Sequence, residues 1–429
     1  MKKKLLAISI LILSVMFFNC GETGKTNKSE KVTSGIEEFL ANHLDMIKGK
    51  NVGIITNHTG VLSDGSHLVD VLHSIKDVNI KALFGPEHGI RGDAPDGETI
   101  ENDIDIDAKT NIHVYSLYGQ VTKPTDEMLK DIDVLIFDIQ DVGARFYTFT
   151  STMFLSMEAA AEHGIKYIVL DRPNPITGTR IGGAVLDDEI SSFIGLYKIS
   201  IMHGLTVGEL AKLVNEECWL KDGVKADLTV IEMKGWKREM WYDETGLPWV
   251  KPSPNIGTLE TAIVYPGLCF IEGTNISEGR GTLNPFEIIG APYIDTDKFN
   301  EVLNSYGLKG VKFETIEFTP VHIENVTLNP KHENIKCGGT FVKITDRNLF
   351  DPIETGLHIL YTLKNLYPDD FKWRTPSNPT SKYHIDLLAG TTDLRLMLDE
   401  GYTPGDIIKK WDKDLQEYIK ITKKYLLYN

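Results

Sequence analysis

The chain has 429 residues, of which 41% are hydrophobic, 25% charged and 9% aromatic, the balance of a globular protein with room for two ordinary domains. Disorder, collagen and coiled coil are excluded as the main architecture. Formal net charge is -16, from 61 acidic against 45 basic side chains, which repels polyanions and argues against nucleic acid as a partner.

Lys2, Lys3 and Lys4 precede an apolar run from Leu5 to Phe18. The run is shorter than the roughly 20 residues of a membrane-spanning helix, so residues 1–19 read as an export signal. Cys20 follows directly, ahead of a polar linker over 20–34. The arrangement resembles a bacterial lipoprotein signal, in which Cys20 carries lipid and anchors the chain to a membrane. A plain signal peptide with an incidental cysteine is the alternative, and both readings export the protein to the periplasm or cell surface. Cys218, Cys269 and Cys337 lack metal-ligand spacing and read as buried thiols with room for one disulfide.

From Gly35 to about Asn174 short β-rich runs alternate with turn clusters and helical stretches, the signature of an α/β domain on a parallel sheet. The strands are expected at Val52 to Thr56, Val78 to Phe84, Ile112 to Tyr115, Val134 to Ile139 and Tyr167 to Leu170. Their near-continuous apolarity suits strands covered on both faces. Helices are expected at His67 to Ile75, Thr125 to Asp131 and Ser151 to His163, and at Thr206 to Glu217 behind a Thr206/Glu209 capping box. Past a boundary near Gly257 the pattern changes to α+β. Strands are expected near Val311 to Pro320 and Cys337 to Thr345, with helices at Ile353 to Asn365, Tyr383 to Gly390, Thr391 to Glu400 and Pro404 to Tyr425. Residues 35–256 are therefore expected as an α/β domain on a parallel sheet and 257–429 as a smaller α+β domain.

Open parallel sheets bind ligands at the carboxyl ends of their strands, and polar residues collect after each expected strand here. Asn57 follows the first, Glu87, His88 and Arg91 the second, Tyr118 the third. Asp138, Gln140, Asp141, Arg145 and Tyr147 follow the fourth, and Asp171 and Asn174 the fifth. Turn chemistry alone explains any one of these loops; five together suggest a site. Glu87 sits in a tight turn after a buried strand, where partial desolvation would raise its pKa and suit it to general-acid work. Asp141 and Asp171 could equally cap helices, Arg145 could pair with a neighbouring acid, and Tyr147 could be core. Further along, His203 precedes a helix, Asn255 suits an Asx turn, and Glu278 and Arg280 flank Gly279, where backbone can approach a ligand closely. No Gly-x-Gly-x-x-Gly, Gly-x-Ser-x-Gly or His-Glu-x-x-His string occurs, so dinucleotide, serine-hydrolase and zincin chemistry find no support. No metal or organic cofactor is expected.

Several strings together resemble one family, the exo-acting β-N-acetylmuramidases of the NamZ type, formerly a domain of unknown function. They are Phe84-Gly85-Pro86-Glu87-His88-Gly89, Pro95-Asp96-Gly97-Glu98, Tyr115-Ser116-Leu117-Tyr118-Gly119, Asp138 to Tyr147, Asp171-Arg172-Pro173-Asn174-Pro175, His203-Gly204-Leu205-Thr206 and Pro252 to Thr282. The resemblance runs from about Gly35 to the C-terminus. It implies a Rossmann-like domain without a dinucleotide, a cleft against a smaller domain, and release of N-acetylmuramic acid from non-reducing ends of peptidoglycan fragments, with Glu87 the leading catalytic residue and Tyr147 its neighbour.

Glycosidic hydrolysis needs an acid at the leaving oxygen and a second group to support the oxocarbenium-like state. Glu87 is assigned the first role. The second falls to Asp138 or Asp141, or to the sugar's own 2-acetamido group oriented by a carboxylate or Tyr147. Muramic acid carries a lactyl carboxylate, which Arg91, Arg145 or Arg280 would grip in a fork geometry. Asn57, His88, Gln140, Asn174, His203, Asn255 and Glu278 complete the expected substrate contacts. A lipoprotein that binds cell-wall sugars without cleaving them, or a hydrolase of another bond such as an ester, is the alternative.

Overall fold

The computed structural model describes residues 31–92, 104–378 and 380–429; the export signal, Cys20 and the Pro95 to Glu98 string lie outside them. From Lys31 onward the chain is one compact unit. Its principal sheet contains β1 (Asn51–Thr56), β2 (Asn79–Gly85), β3 (Ile104–Ile106), β4 (His113–Ser116), β5 (Val134–Asp138) and β6 (Lys166–Leu170). A two-stranded ribbon follows, β7 (Gly182–Val185) with β8 (Ser200–Met202), and β9 (Leu228–Ile231) returns to the sheet. The spatial order is β3-β4-β2-β1-β5-β6-β9. Every neighbouring pair is parallel except β3 with β4, which is antiparallel. The class is thus α/β, and the five strands named from sequence are central members of the sheet. All of β5 is buried, as expected of a strand with both faces covered.

Helices α1 (Gly35–Asn42), α2 (Leu68–Ser74), α3 (Phe149–His163) and α4 (Val207–Glu216) accompany this sheet. Gly164 ends α3 in the left-handed conformation, and Thr206 caps α4 with Glu209 closing the capping box. The helix expected over Thr125 to Asp131 is instead a turn. A single α-type bond from Leu129 N to Thr125 O forms there. Asp131 then takes φ 61 and reverses the chain into β5, so one helical turn never propagates. Among the elements whose signal is too weak to be expected are the four-residue strand β9 and the short helix α1, the latter behind a Ser34–Glu37 capping box.

The second half contains α5 (Leu259–Leu268), β10 (Ile288–Ala291), α6 (Thr296–Ser305), β11 (Val311–Phe318), β12 (Cys337–Ile344), α7 (Pro352–Leu366), α8 (His384–Ala389), α9 (Asp393–Asp399) and α10 (Pro404–Thr422). Its strands form an antiparallel sheet in the order β10-β12-β11. The largest apolar cluster is continuous across both halves, joining Phe137, Phe154 and Leu210 to Phe270, Leu357 and Leu394. α5 is buried from Thr261 through Leu268, so it has no solvent face from which a helical period could be read. It runs backbone to backbone against α7: a Cβ on Gly267 would lie 1.6 Å from Pro352 O, and one on Gly356 2.3 Å from Gly267 O.

Alanine ordinarily improves a helix interior by about 1 kcal/mol over glycine. Gly267→Ala should do the reverse and cost about 3 kcal/mol by forcing α5 and α7 apart, read as a lower midpoint in urea unfolding at unchanged slope.

Candidate active site

Strand order reverses between β1 and β5, the position where an open α/β sheet ordinarily opens a ligand crevice. Here that crevice is filled. Arg172, just past β6, makes a two-pronged ion pair with Asp138 at the end of β5, with Nε to Oδ1 at 2.6 Å and Nη2 to Oδ2 at 3.0 Å, both residues buried. Thr56 donates to the Asp138 carbonyl at 2.8 Å. The space left beside Thr59, Gln140 and Arg172 is about 10 Å³, closed over by Tyr242, Leu247 and Pro248, which is room for one water at most.

The open cleft lies to one side, over the ends of β2, β4 and β5. An inner chamber of about 210 Å³ is lined by Glu87 and His88 after β2, Tyr118 after β4, and Phe146, Tyr147 and Thr148 after β5; Ser253, Asn255, Tyr265, Glu272, Arg280 and Phe286 form its other wall. The turn that presents Glu87 is tight. Gly89 N donates to Pro86 O at 3.0 Å, a Cβ on Gly85 would come within 3.3 Å of Gly89, and His88 and Gly89 are both left-handed at φ 72 and 71. A buried non-glycine residue held at positive φ stores local strain of the kind that clusters at working sites. Thr148, the residue before α3, donates its hydroxyl to Glu87 Oε2 at 3.1 Å. Tyr147 is held edge-on by Phe149 at 4.7 Å and Tyr265 at 6.1 Å, and Tyr265 in turn meets Phe286 at 4.9 Å. Burial pushes the Tyr265 hydroxyl far above its usual range, so this ring stays neutral.

Tyr118, Glu272 and Arg280 also line an outer chamber of about 900 Å³, with Lys331, His332, Trp373, Arg374 and His384. The two chambers form one cleft with Glu272 and Arg280 at the junction. Arg280 donates through Nη2 to Glu272 Oε1 at 2.7 Å, and its guanidinium lies 5.2 Å from the Phe286 ring centre. His384 Nε2 stands 3.6 Å from Glu272 Oε2. Burial would raise the Glu272 pKa, but Arg280 and His384 outweigh it and hold the carboxyl well below the usual carboxylate range. Glu272 therefore stays ionised.

Sequence reasoning missed Glu272, Thr148, Lys331, Arg374 and His384. Glu272 opens the polar stretch that contains Glu278 and Arg280, but it falls in a short 3-10 turn after α5 with no motif of its own. Of the residues expected at the site, Glu87, His88, Tyr147, Asn255 and Arg280 meet in the inner chamber, and Glu278 lines the outer one. Asn255 also spans to the second half, donating to Val326 O at 3.2 Å and accepting from Thr327 at 3.0 Å.

The other expected residues are not brought to the cleft and serve the framework. Asp141 accepts from Gly143 N at 2.6 Å and from His203 Nε2 at 3.0 Å, fastening the loop after β5 to the segment before α4. Asp171 accepts from Thr206 Oγ1 and Gly208 N at 2.8 Å and from Tyr428 at 2.6 Å, at the start of α4. Asn57 forms an Asx turn with Thr59, Gln140 donates to Pro173 O, and Asn174 bridges Ile176 N and Leu205 O. Arg91 is committed to Asp107 through two bonds at 2.8 and 2.9 Å and to Asp70 at 2.8 Å. Arg145 is fully enclosed and donates to the carbonyls of Ala184, Ile199 and Leu388; burial pushes its pKa down to about 9. Gly279 and Gly281 do allow close approach, but to Ile288 O and Val321 O of the chain itself. Cys218, Cys269 and Cys337 are all free thiols, and Cys218 is exposed rather than buried. Among the described residues no group of three or more His, Cys, Asp or Glu is arranged to hold a metal ion.

A carboxyl group facing an aromatic-walled polar cleft supplies one of the groups that glycoside hydrolysis requires. Comparison with known proteins agrees. Residues 52–260 match the family model described as exo-β-N-acetylmuramidase NamZ, N-terminal, and residues 263–428 its C-terminal counterpart. The peptidoglycan β-N-acetylmuramidase NamZ of Bacillus subtilis (strain 168) is 47% identical over 404 residues, 94% of this chain and 93% of its own. Two crystal structures of DUF1343-family proteins from Bacteroides fragilis superpose with TM-scores of 0.84 and 0.73 at 37% and 34% identity. Each alignment covers 93% of this chain and 99% of the other. The chain belongs to the NamZ family of exo-β-N-acetylmuramidases.

The framework role of Arg91 has a pH signature. The Arg91 hydrogen bond, against the opposing cost of burial, holds the Asp107 pKa at about 2. The folded pKa is depressed, so this contribution is present above the unfolded value near 4 and is lost as pH falls through about 2. Asp107→Asn should cost about 1 kcal/mol at pH 7, allowing for partial solvent screening. The difference between mutant and parent in thermal unfolding should shrink below pH 3.

Proposed function

We propose that the chain is an exo-β-N-acetylmuramidase that releases N-acetylmuramic acid from non-reducing ends of peptidoglycan fragments, with Glu87 as general acid. The observation that carries this reading is the meeting of Glu87, Tyr147 and Arg280 in one chamber of about 210 Å³. Glu87 protonates the glycosidic oxygen as the bond to the anomeric carbon breaks, and Thr148 orients its carboxyl. Asp138 and Asp141 are committed to Arg172 and His203 outside the chamber. Support for the oxocarbenium-like state then comes from the sugar's own 2-acetamido group, with Tyr147 orienting it. Arg91 and Arg145 are likewise engaged elsewhere, which leaves Arg280 to grip the lactyl carboxylate and tell muramic acid from glucosamine. In the same reading residues 35–256 and 257–429 are the two walls of the cleft, and Cys20 carries the lipid that keeps an exported enzyme at a membrane facing its saccharides.

Wild-type protein should hydrolyse a chromogenic β-N-acetylmuramide, and Glu87→Gln should lower kcat by about 10²- to 10⁴-fold while retaining binding. Saccharide binding without turnover by wild type would favour a binding protein instead.

Arg280→Ala should lose about ten- to hundredfold more in kcat/KM on the muramide than on the matching β-N-acetylglucosaminide. Equal losses on the two substrates would reject the lactyl contact.

A further inference from the structure

The outer chamber is several times the volume of the inner one and is not lined by Glu87, so it offers room for the part of a saccharide that extends beyond the inner chamber. Its charges do not cancel. It is lined by the carboxylates Glu272 and Glu278 and by the permanent cations Arg280, Lys331 and Arg374. Glu272 is matched by Arg280 at 2.7 Å, and Glu278 by Lys331 at 2.9 Å. Arg374 is exposed and, among the described residues, has no carboxylate partner. In a chain of net charge -16, a cation left over at the wall of a cleft is a site for an anionic group on a ligand.

The backbone that carries Arg374 is also fixed in place. Its backbone N donates to Gly273 O at 2.7 Å, and Asn275 N donates to Lys372 O at 3.0 Å. The Asn275 side chain donates to Asp370 O and accepts from Lys372 N, both at 2.9 Å. The segment carrying Arg374 is therefore stitched to the loop that carries Glu272. Trp373 beside it is held by an indole bond to Asp399 at 2.9 Å and an edge-to-face contact with Phe371 at 4.9 Å. An aromatic ring with its orientation set in advance binds a sugar's apolar face at little entropic cost.

We propose that Trp373 and Arg374 form the receiving site for the leaving saccharide, with Trp373 against a sugar ring and Arg374 paired with a carboxylate beyond it. The inference rests on the muramidase reading and extends it from the sugar released to the chain left behind. In alternating peptidoglycan the next carboxylate belongs either to the lactyl group of the following muramic acid or to a peptide stem attached there. The site would make the protein prefer glycan chains over disaccharides.

The test compares wild type and Arg374→Ala on three substrates. They are the chromogenic monosaccharide, a peptide-free tetrasaccharide beginning with muramic acid, and the same tetrasaccharide bearing a peptide stem on its second muramic acid. Arg374→Ala should lose about tenfold more in kcat/KM on a tetrasaccharide than on the monosaccharide, with Arg374→Lys recovering part of the loss. A selective loss on the peptide-free substrate identifies the lactyl carboxylate, and one confined to the peptide-bearing substrate identifies the stem. Equal losses on all three, or none, would overturn the proposal. Tetrasaccharide binding to Glu87→Gln, with and without Arg374→Ala, separates the two readings. Should wild type cleave nothing, about tenfold weaker binding would still uphold the receiving site, and unchanged binding would end it.

Discussion

The buried pair between Asp138 and Arg172 decides where this protein can work. A doubly wound sheet offers its ligand crevice where strand order reverses, and a two-pronged ion pair occupies that place here. Burying two charges is costly, and it is tolerated because the fork geometry and the neighbouring bonds satisfy both groups. With the switch point filled, the usable rim is the flank over β2, β4 and β5. That flank has a wall on one side only, and the second half of the chain supplies the other through Tyr265, Glu272, Arg280 and Phe286. The division of labour between the halves follows from this displacement.

Electrostatics in the cleft are arranged around the same division. Glu87 comes from a strained turn of the first half and is oriented by a neutral hydroxyl. Glu272 comes from the second half, sits against a guanidinium and an imidazole, and is held ionised. One carboxyl faces the chamber beside a hydroxyl donor, whereas the other is bound to charge and suits holding Arg280 still. Neighbouring carboxyls with unlike surroundings can thus take unlike parts in one reaction.

Much of the scaffold was legible because it is local. Apolar runs bounded by turn residues mark β1, β2, β4, β5 and β6, and a capping box marks α4. The turn at Thr125 to Asp131 was misread because a helical period over seven residues does not carry the cost of nucleation. α5 stayed hidden because a helix buried all round shows no amphipathic face. The site was legible only in part for a different reason. Glu87, Tyr147, Asn255 and Arg280 sit in recognisable strings, and the parallel order of the strands brings some of those strings together. Nothing in a string separates Asp138, which a later arginine consumes, from Glu87, which faces the cleft. Glu272 and Arg374 owe their positions to the contact between the loop at Gly273 to Asn275 and the segment at Asp370 to Arg374, a pairing separated by about a hundred residues.

Arg145 has a consequence of its own. Its guanidinium, enclosed in the interior, takes carbonyls from Ala184 and Ile199 in one half and from Leu388 in the other. An interior cation whose solvation is supplied by peptide groups from both segments ties their fates together, since neither fragment alone could house it without water. Severing the chain between them would leave that guanidinium short of part of its carbonyl cage, so the two segments are expected to melt together.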